Sequence, residues 1–270
     1  MIIRYPNGKK KAFNITYDDG VMQDVAFVEM LNRYGLKGTF HLNSQLMRER
    51  FSWTHDNGME VTRLPLSAVK ELYRGHEVAS HTLTHPYMSS LSKDEILRQM
   101  AEDKATLESV WGREVAGFAV PFSYYSDLIA DCARECGFEY ARRSEFTENY
   151  TPCGDFYHWK TGFYHICPGL ADYVAGFLNT QEELAVCQIV GHSYDLDAEQ
   201  LWGTLELICA AVAAREDVWF CTNLELVRYL KAVRKCIILD SYAQNGSDEI
   251  IWLECDGELH CLAPGEVLAL

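Results

Sequence analysis

The sequence predicts an α/β protein: a parallel β/α barrel over residues 1–235 and a small antiparallel β appendage over residues 236–270. Three observations predict it. Short apolar runs alternate with amphipathic stretches along most of the chain, and repeated strand–helix units make a parallel sheet with right-handed crossovers. Reactive residues recur where successive apolar runs end, at Asp18 and Asp19, His81, Pro121, Arg142 and His192. That favours a barrel over an open sheet, because active sites of barrels collect at the C-terminal ends of several strands. After about residue 236 the texture changes to short strand-like runs separated by Asn245-Gly246, Asp256-Gly257 and Pro264-Gly265. An appendage of roughly thirty such residues is too small to be stable alone.

Taken in order, residues 12–17 read as a strand running into Asp-Asp-Gly. Val21, Val25, Val28 and Leu31 then recur at helical spacing, and Gly35 stops the helix. Residues 38–42 form a second strand, residues 65–73 a helix opened by proline, and residues 76–81 a third strand. Ser92 and Glu95 make a capping-box pattern at the start of a long helix that ends near Gly112. Residues 117–120 read as a strand, 126–136 as a helix closed by Gly137, and 138–142 as a strand. Residues 184–191 are a buried apolar strand ending at His192. A helix over 201–214, a strand over 218–221 and a helix over 224–233 complete the barrel.

The bulk composition excludes several classes. The chain has 270 residues, ordinary for one α/β barrel, and its 48% hydrophobic content excludes a disordered protein. A net charge of −15 repels phosphate backbones and speaks against nucleic-acid binding. No run reaches the roughly eighteen apolar residues of a membrane span, and the N-terminus has no apolar secretory core. The ten cysteines are scattered, mostly within apolar runs, and read as reduced buried residues. A cytoplasmic location is the expectation.

His81 and His85 stand four apart in His-Thr-Leu-Thr-His, so on one turn both imidazoles can reach one metal. Pro86 follows at once, so a strand-end turn is expected rather than a long helix. Adjacent Asp18 and Asp19 repel each other unless a cation is near. Their side chains diverge, so one can ligate while the other faces a bound water. Each feature alone has an ordinary reading: a surface histidine pair, a capping aspartate, and, for His192, a core histidine at a strand's lip.

Their order is more informative. A strand runs into Thr16-Tyr17-Asp18-Asp19-Gly20, the next motif is Ser80 to His85, then comes Val120-Pro121-Phe122, then an apolar strand into His192. From about residue 10 to about residue 230 this set resembles the polysaccharide deacetylases, carbohydrate esterase family 4, with Tyr17 in place of a phenylalanine of the first motif. The resemblance implies an irregular parallel β/α barrel with fewer than eight strands. It implies one divalent metal on Asp19, His81 and His85, with Asp18 as general base and His192 as general acid. Imidazole and carboxylate ligands suit Zn2+, with Co2+, Ni2+ and Mn2+ also open. The implied reaction removes acetyl groups from an N-acetylated sugar, oligosaccharide or polysaccharide. An O-acetyl ester or small amide on the same site is the alternative, as is a non-catalytic carbohydrate-binding module.

The chain departs from the family pattern in two places. Ala119 stands where an arginine orients the base aspartate, and Arg142 at the next strand end is the candidate substitute, expected to pair with Asp18. The Asp-rich fourth motif is absent. In that region the chain has His158-Trp159-Lys160 and Tyr164-His165, and Asp195 or Asp197 to orient His192. Pro121, Phe122 and Trp159 are the expected substrate contacts, through aromatic stacking on sugar faces and a backbone N–H near Phe122.

Overall fold

A computed structural model describes residues 1–270 apart from Ser123, Asp240, Ser241 and Leu270. The strands are, in chain order, β1 (Ile2–Arg4), β2 (Lys11–Asp18), β3 (Gly38–Leu42), β4 (Ser52–Thr54), β5 (Glu60–Thr62), β6 (Glu77–Ser80), β7 (Gly117–Ala119), β8 (Tyr140–Phe146), β9 (Trp159–Thr161), β10 (Phe163–Tyr164), β11 (Ala185–Gly191) and β12 (Val218–Phe220). They are followed by β13 (Cys236–Ile238), β14 (Tyr242–Asn245), β15 (Ile251–Cys255), β16 (Glu258–Leu262) and β17 (Val267–Ala269).

One parallel sheet follows the path β10-β11-β2-β3-β6-β7-β8-β9, with β12 paired to β2. Its two ends, β9 and β10, are consecutive in the chain, so the sheet curls into a nearly closed barrel. The parallel barrel matches the expectation; its path holds eight strands rather than fewer because β9 and β10 add three and two residues. Those two strands and the hairpin β4–β5 are too short to show a period, whereas the helix Leu170–Asn179, absent from the expectation, buries Leu170, Tyr173, Val174 and Phe177 at helical spacing. The proline-opened stretch at 65–73 is a 3-10 turn followed by the short helix Val69–Leu72.

All of β2 is buried, yet its two faces differ. Phe13, Ile15 and Tyr17 join the main core with helix residues such as Phe27 and Leu31. Asn14 and Thr16, on the other face, meet a polar barrel interior: Asn14 donates to Asn223 at 2.8 Å, as does Gln188 at 3.0 Å. These two amides share the Asn223 Oδ1 acceptor, while Asn14 Oδ1 has no protein partner. A second core closes the barrel floor, where Ala12, Tyr140, Trp159 and Val186 meet Leu226 and Leu230 of the helix Asn223–Val233.

The antiparallel part beyond residue 236 forms two small sheets, β13-β14-β17 and β1-β15-β16. The second recruits β1 from the other end of the chain, and Ile251 and Leu253 pack into the floor core. Asn245 is fully buried and donates to the carbonyls of Glu249 and Leu262, so its Asn-Gly-Ser run is a packed turn. All ten cysteines are free. No helix among the described residues is long and apolar enough to cross a membrane.

Candidate metal centre

Strand β2 ends in Asp18, and the chain then turns through Asp19 (φ 88°) and Gly20 (φ 64°). Strand β6 ends at Ser80, and His81 to His85 form an irregular turn with Thr82 at φ 69° and His85 at φ 54°. Phe122, beyond β7, has φ 58°. Positive φ in a threonine or phenylalanine costs on the order of 1–3 kcal/mol, and such strain gathers at functional sites. Local bonds hold the His81 turn in place. Asn43 donates to the carbonyls of His81 and Thr82, and the Thr82 hydroxyl accepts the His85 N–H at 3.1 Å. Asp103 receives Ser80 Oγ at 2.6 Å and the Ser44 N–H at 2.7 Å.

These turns bring Asp19, His81 and His85 together, each with one ligand-type atom within 4.8 Å of the others. Asp19 Oδ1 lies 3.9 Å from His81 Nε2 and 3.6 Å from His85 Nε2. His81 Nδ1–H donates to the Ala119 carbonyl at 2.9 Å, which leaves Nε2 unprotonated and aimed at the cluster. Burial pushes His81 down to about 3 and His85 below its ordinary value, so both imidazoles are neutral, as metal ligands must be. Burial opposes ionisation of Asp19, but the Arg63 guanidinium and the His192 cation outweigh it and hold the carboxyl well below its usual range. Asp19 Oδ1 is buried and accepts no hydrogen bond. A buried carboxylate oxygen that ion-pairs with Arg63 at 2.8 Å and faces two neutral imidazole nitrogens gives a two-nitrogen, one-oxygen donor set that fits a divalent cation and suits zinc.

Asp18 stands on the other side of the β2 end. Arg142 donates to its Oδ1, and His41 Nδ1 lies 3.1 Å from the same oxygen. Ala119 and Arg142 are register partners in adjacent strands, so both side chains face the barrel interior. Burial would raise the Asp18 carboxyl; the Arg142 guanidinium and the His41 hydrogen bond more than offset it and hold it well below the usual carboxylate range.

His192 follows β11. Its Nδ1 donates to Asp195 Oδ2 at 3.0 Å, and its Nε2 lies 4.0 Å from Asp19 Oδ2. Burial would lower this imidazole, but the Asp195 hydrogen bond and the Asp19 charge raise it to about 9, so it is a cation at neutral pH. Asp195, three residues after His192, supplies the orienting carboxylate; Asp197 instead accepts from Trp202 at 2.7 Å.

The mouth holds a cavity of about 290 Å³ lined by Asp18, Asp19, His81, His85, Arg142 and His192, with Phe122, Phe146, Tyr164 and Tyr194 among its walls. Phe122 packs 4.6 Å from the His85 ring, and the exposed Tyr87 stacks on Phe122 at 3.8 Å. Two expected substrate contacts are corrected. Pro121 is buried and does not line this cavity, although Val120 and Phe122 on either side do. Trp159 opens β9 and so sits at the floor end, packed 5.5 Å from Tyr140 and lining a separate cavity of about 310 Å³. Tyr164, which closes β10, reaches the mouth, as Trp159 at the start of β9 does not.

Other residues at the site carry no sequence motif. Arg63 places Nη1 2.8 Å from Asp19 Oδ1 and also donates to the Asp19 carbonyl. It comes from the segment after hairpin β4–β5, whose Trp53 packs 5.4 Å from Tyr194. His41 interrupts an apolar strand at a position that faces the interior; a polar residue inside Thr-Phe-His-Leu is the one signal available.

The polysaccharide deacetylase family's sequence pattern matches residues 5–141, half of the chain, and the chain belongs to that family. It is 28% identical over 138 residues to a peptidoglycan-N-acetylglucosamine deacetylase of Bacillus cereus, covering 50% of this chain and 56% of that protein. A chitin deacetylase of Pestalotiopsis sp is 29% identical over 102 residues, covering 37% of this chain and 30% of that protein. The chain therefore spans about half or less of the length of these curated relatives. Among solved structures, a cobalt-bound family 4 acetyl xylan esterase from Clostridium thermocellum aligns with TM-score 0.51 at 17% identity, over 80% of this chain and 89% of that one. A mutant of a Bacillus anthracis CE4 family pseudoenzyme, with restored enzymatic activity, aligns with TM-score 0.55 at 18% identity, over 84% and 70%. At these identities the structural likeness establishes the shared fold.

Proposed function

We propose that this protein is a metal-dependent hydrolase that removes acetyl groups from an N-acetylated sugar, oligosaccharide or polysaccharide. One observation supports the reading: the ligand atoms of Asp19, His81 and His85 converge within 4.8 Å of one another in the cavity that Asp18 and His192 also line.

Acetamide hydrolysis needs an activated water, a stabilised oxyanion and a proton for the departing nitrogen. Asp19, His81 and His85 would hold a divalent ion, which would supply a lowered water pKa and a polarised carbonyl. Asp18, kept as a carboxylate by Arg142 and His41, takes the proton of the attacking water. His192, with Nδ1 fixed by Asp195, gives its Nε2 proton to the leaving amine. The Phe122 amide at the cavity rim is the proposed backbone donor to the oxyanion. Val120 and Val190 give the cavity apolar wall for the acetyl methyl. Tyr87 and Phe122 offer a flat stacked surface for a pyranose ring.

The test is metal analysis of the purified protein, then an acetate-release screen with zinc or cobalt over chitooligosaccharides, peptidoglycan fragments, acetylated xylan and small amides. Turnover by wild type and its loss in Asp18→Asn is the expected result. No turnover of any amide or ester by the metal-loaded wild type would overturn the reading in favour of a binding module.

A further inference from the structure

The hydrogen bonds behind His192 extend further than one orienting carboxylate requires. Asp195 Oδ2 faces three side chains: His192 Nδ1 at 3.0 Å, the Tyr164 hydroxyl at 2.8 Å and His165 Nε2 at 3.1 Å. Tyr164 and His165 arrive together at the end of the two-residue strand β10, where the His165 N–H donates to the Val190 carbonyl at 2.9 Å. The His165 ring is 2% exposed, and on its far side Nδ1 lies 2.5 Å from the Tyr17 hydroxyl.

This environment assigns the ring's protons. An ionised carboxylate only accepts, so His165 Nε2 carries a hydrogen and donates to Asp195. Burial keeps the imidazole neutral, so Nδ1 accepts from the Tyr17 O–H. A continuous chain results, from Tyr17 on β2, through His165 and Asp195, to His192 beyond β11. Residue 191 is shaped by the same ring: a Cβ on Gly191 would come within 2.5 Å of His165 ring atoms. The glycine that precedes His192 is thus the space in which His165 lies.

We propose that His165 is a positioning residue for the general acid: by donating to Asp195 it fixes the carboxylate that makes His192 present Nε2 to the leaving group. The proposal rests on the reading of His192 as that acid. Without His165, the carboxylate keeps His192 and Tyr164 as donors but loses its one fully buried anchor, and the imidazole acquires freedom to turn from the substrate.

The leaving group separates this role from a merely structural one. Alkyl amines and alkoxides need a proton to depart; a nitrophenolate does not. The substrates are an N-acetyl or O-alkyl acetyl sugar, whichever the wild type turns over faster, and 4-nitrophenyl acetate. For His165→Phe, kcat on the sugar falls roughly 10- to 100-fold with KM little changed, the scale for losing an outer partner of a positioned histidine. The same variant hydrolyses the aryl ester within about twofold of wild type, a change too small to implicate the shared nucleophilic step. His165→Gln, which retains a donor, recovers most of the sugar activity, and Tyr17→Phe gives a smaller loss confined to the sugar. Equal losses on both substrates, or an undiminished kcat on the sugar in His165→Phe and Tyr17→Phe, would overturn the proposal. A wild type active only on the aryl ester also overturns it, since the acid is then idle. A wild type inactive on both overturns the hydrolase reading itself.

Discussion

Replacing Arg142 with alanine strips Asp18 of its guanidinium while leaving the carboxylate in the protein interior. Asp18 is 7% exposed and Arg142 1%, so solvent does not screen this pair as it does surface pairs. Deleting one partner of a buried pair costs about 3–5 kcal/mol, because the remaining charge is left uncompensated. Protonating Asp18 limits that cost. At 1.36 kcal/mol per pKa unit, a lost 3 kcal/mol moves the carboxyl up by about 2 units. In the wild type the carboxyl lies well below its ordinary value, so Asp18, the proposed base, stays ionised into acid. In the variant, burial acts without Arg142 to oppose it, and the acid limb of kcat moves to higher pH by about 2 units. Acetate release measured across pH reads this directly, with activity partly recovered on the alkaline side. Because Ala119 and Arg142 are register partners, Ala119→Arg in the Arg142→Ala background returns a guanidinium to the same face and moves the limb back. An acid limb that coincides with that of wild type, or a loss independent of pH, would refute the pairing as the source of the base's ionisation.

Three further outcomes are expected. Asp19→Ala and His85→Ala each abolish bound metal by elemental analysis while far-UV circular dichroism stays native; undiminished metal would move the site elsewhere. Phe122→Ala and Tyr87→Ala raise KM for an oligosaccharide about 2- to 10-fold, the scale of one aromatic contact worth about 0.5–1.5 kcal/mol, and leave 4-nitrophenyl acetate hydrolysis little changed. Glu77, at the barrel floor, is raised by burial from 4.5 to about 7 despite donors from Leu224, Tyr140 and Thr39. A carboxyl raised in the folded state contributes stability that is fully present below pH 4.5 and lost as pH rises through about 7. Burial raises Asp24 and Asp103 to about 7 as well, so the three carboxyls share the loss seen by urea unfolding, and Glu77→Gln should remove a part of it on the order of 3 kcal/mol; an unaltered slope would falsify the assignment.

The sequence made the barrel legible because its strands are short apolar runs between amphipathic helices, and strand ends are where reactive residues gather. The antiparallel runs past residue 236 were readable from their turn residues. The His81 turn was readable because Pro86 forbids a longer helix. Trp159 was misplaced because composition marks an aromatic but not which end of a strand it occupies; β9 starts at that residue. Arg63 and His165 were hidden for a different reason. Their partners lie 44 and 30 residues away, at Asp19 and Asp195, and no local periodicity encodes such a contact. Asp195 was visible as one of two candidates, and only three-dimensional placement separates it from Asp197. The Arg142 pairing needed both kinds of information: an arginine missing at Ala119, and a neighbouring strand in register to supply one.

The pairing of β1 with β15 sets an order on biosynthesis. Ile3 faces Leu253, and Arg4 donates to Glu254 at 2.9 Å across 250 residues of chain. While the polypeptide emerges from the ribosome, Tyr5 lacks neighbours such as Ile251 and Leu253 until that later segment is made. The β2–β3–β6 centre, whose contacts span far fewer residues, can form earlier. Contacts of such long sequence separation form slowly, and apolar surface awaiting them invites aggregation. Premature termination near residue 235 would thus leave a barrel with its mouth encoded and its underside unsealed, a species for chaperones and proteases.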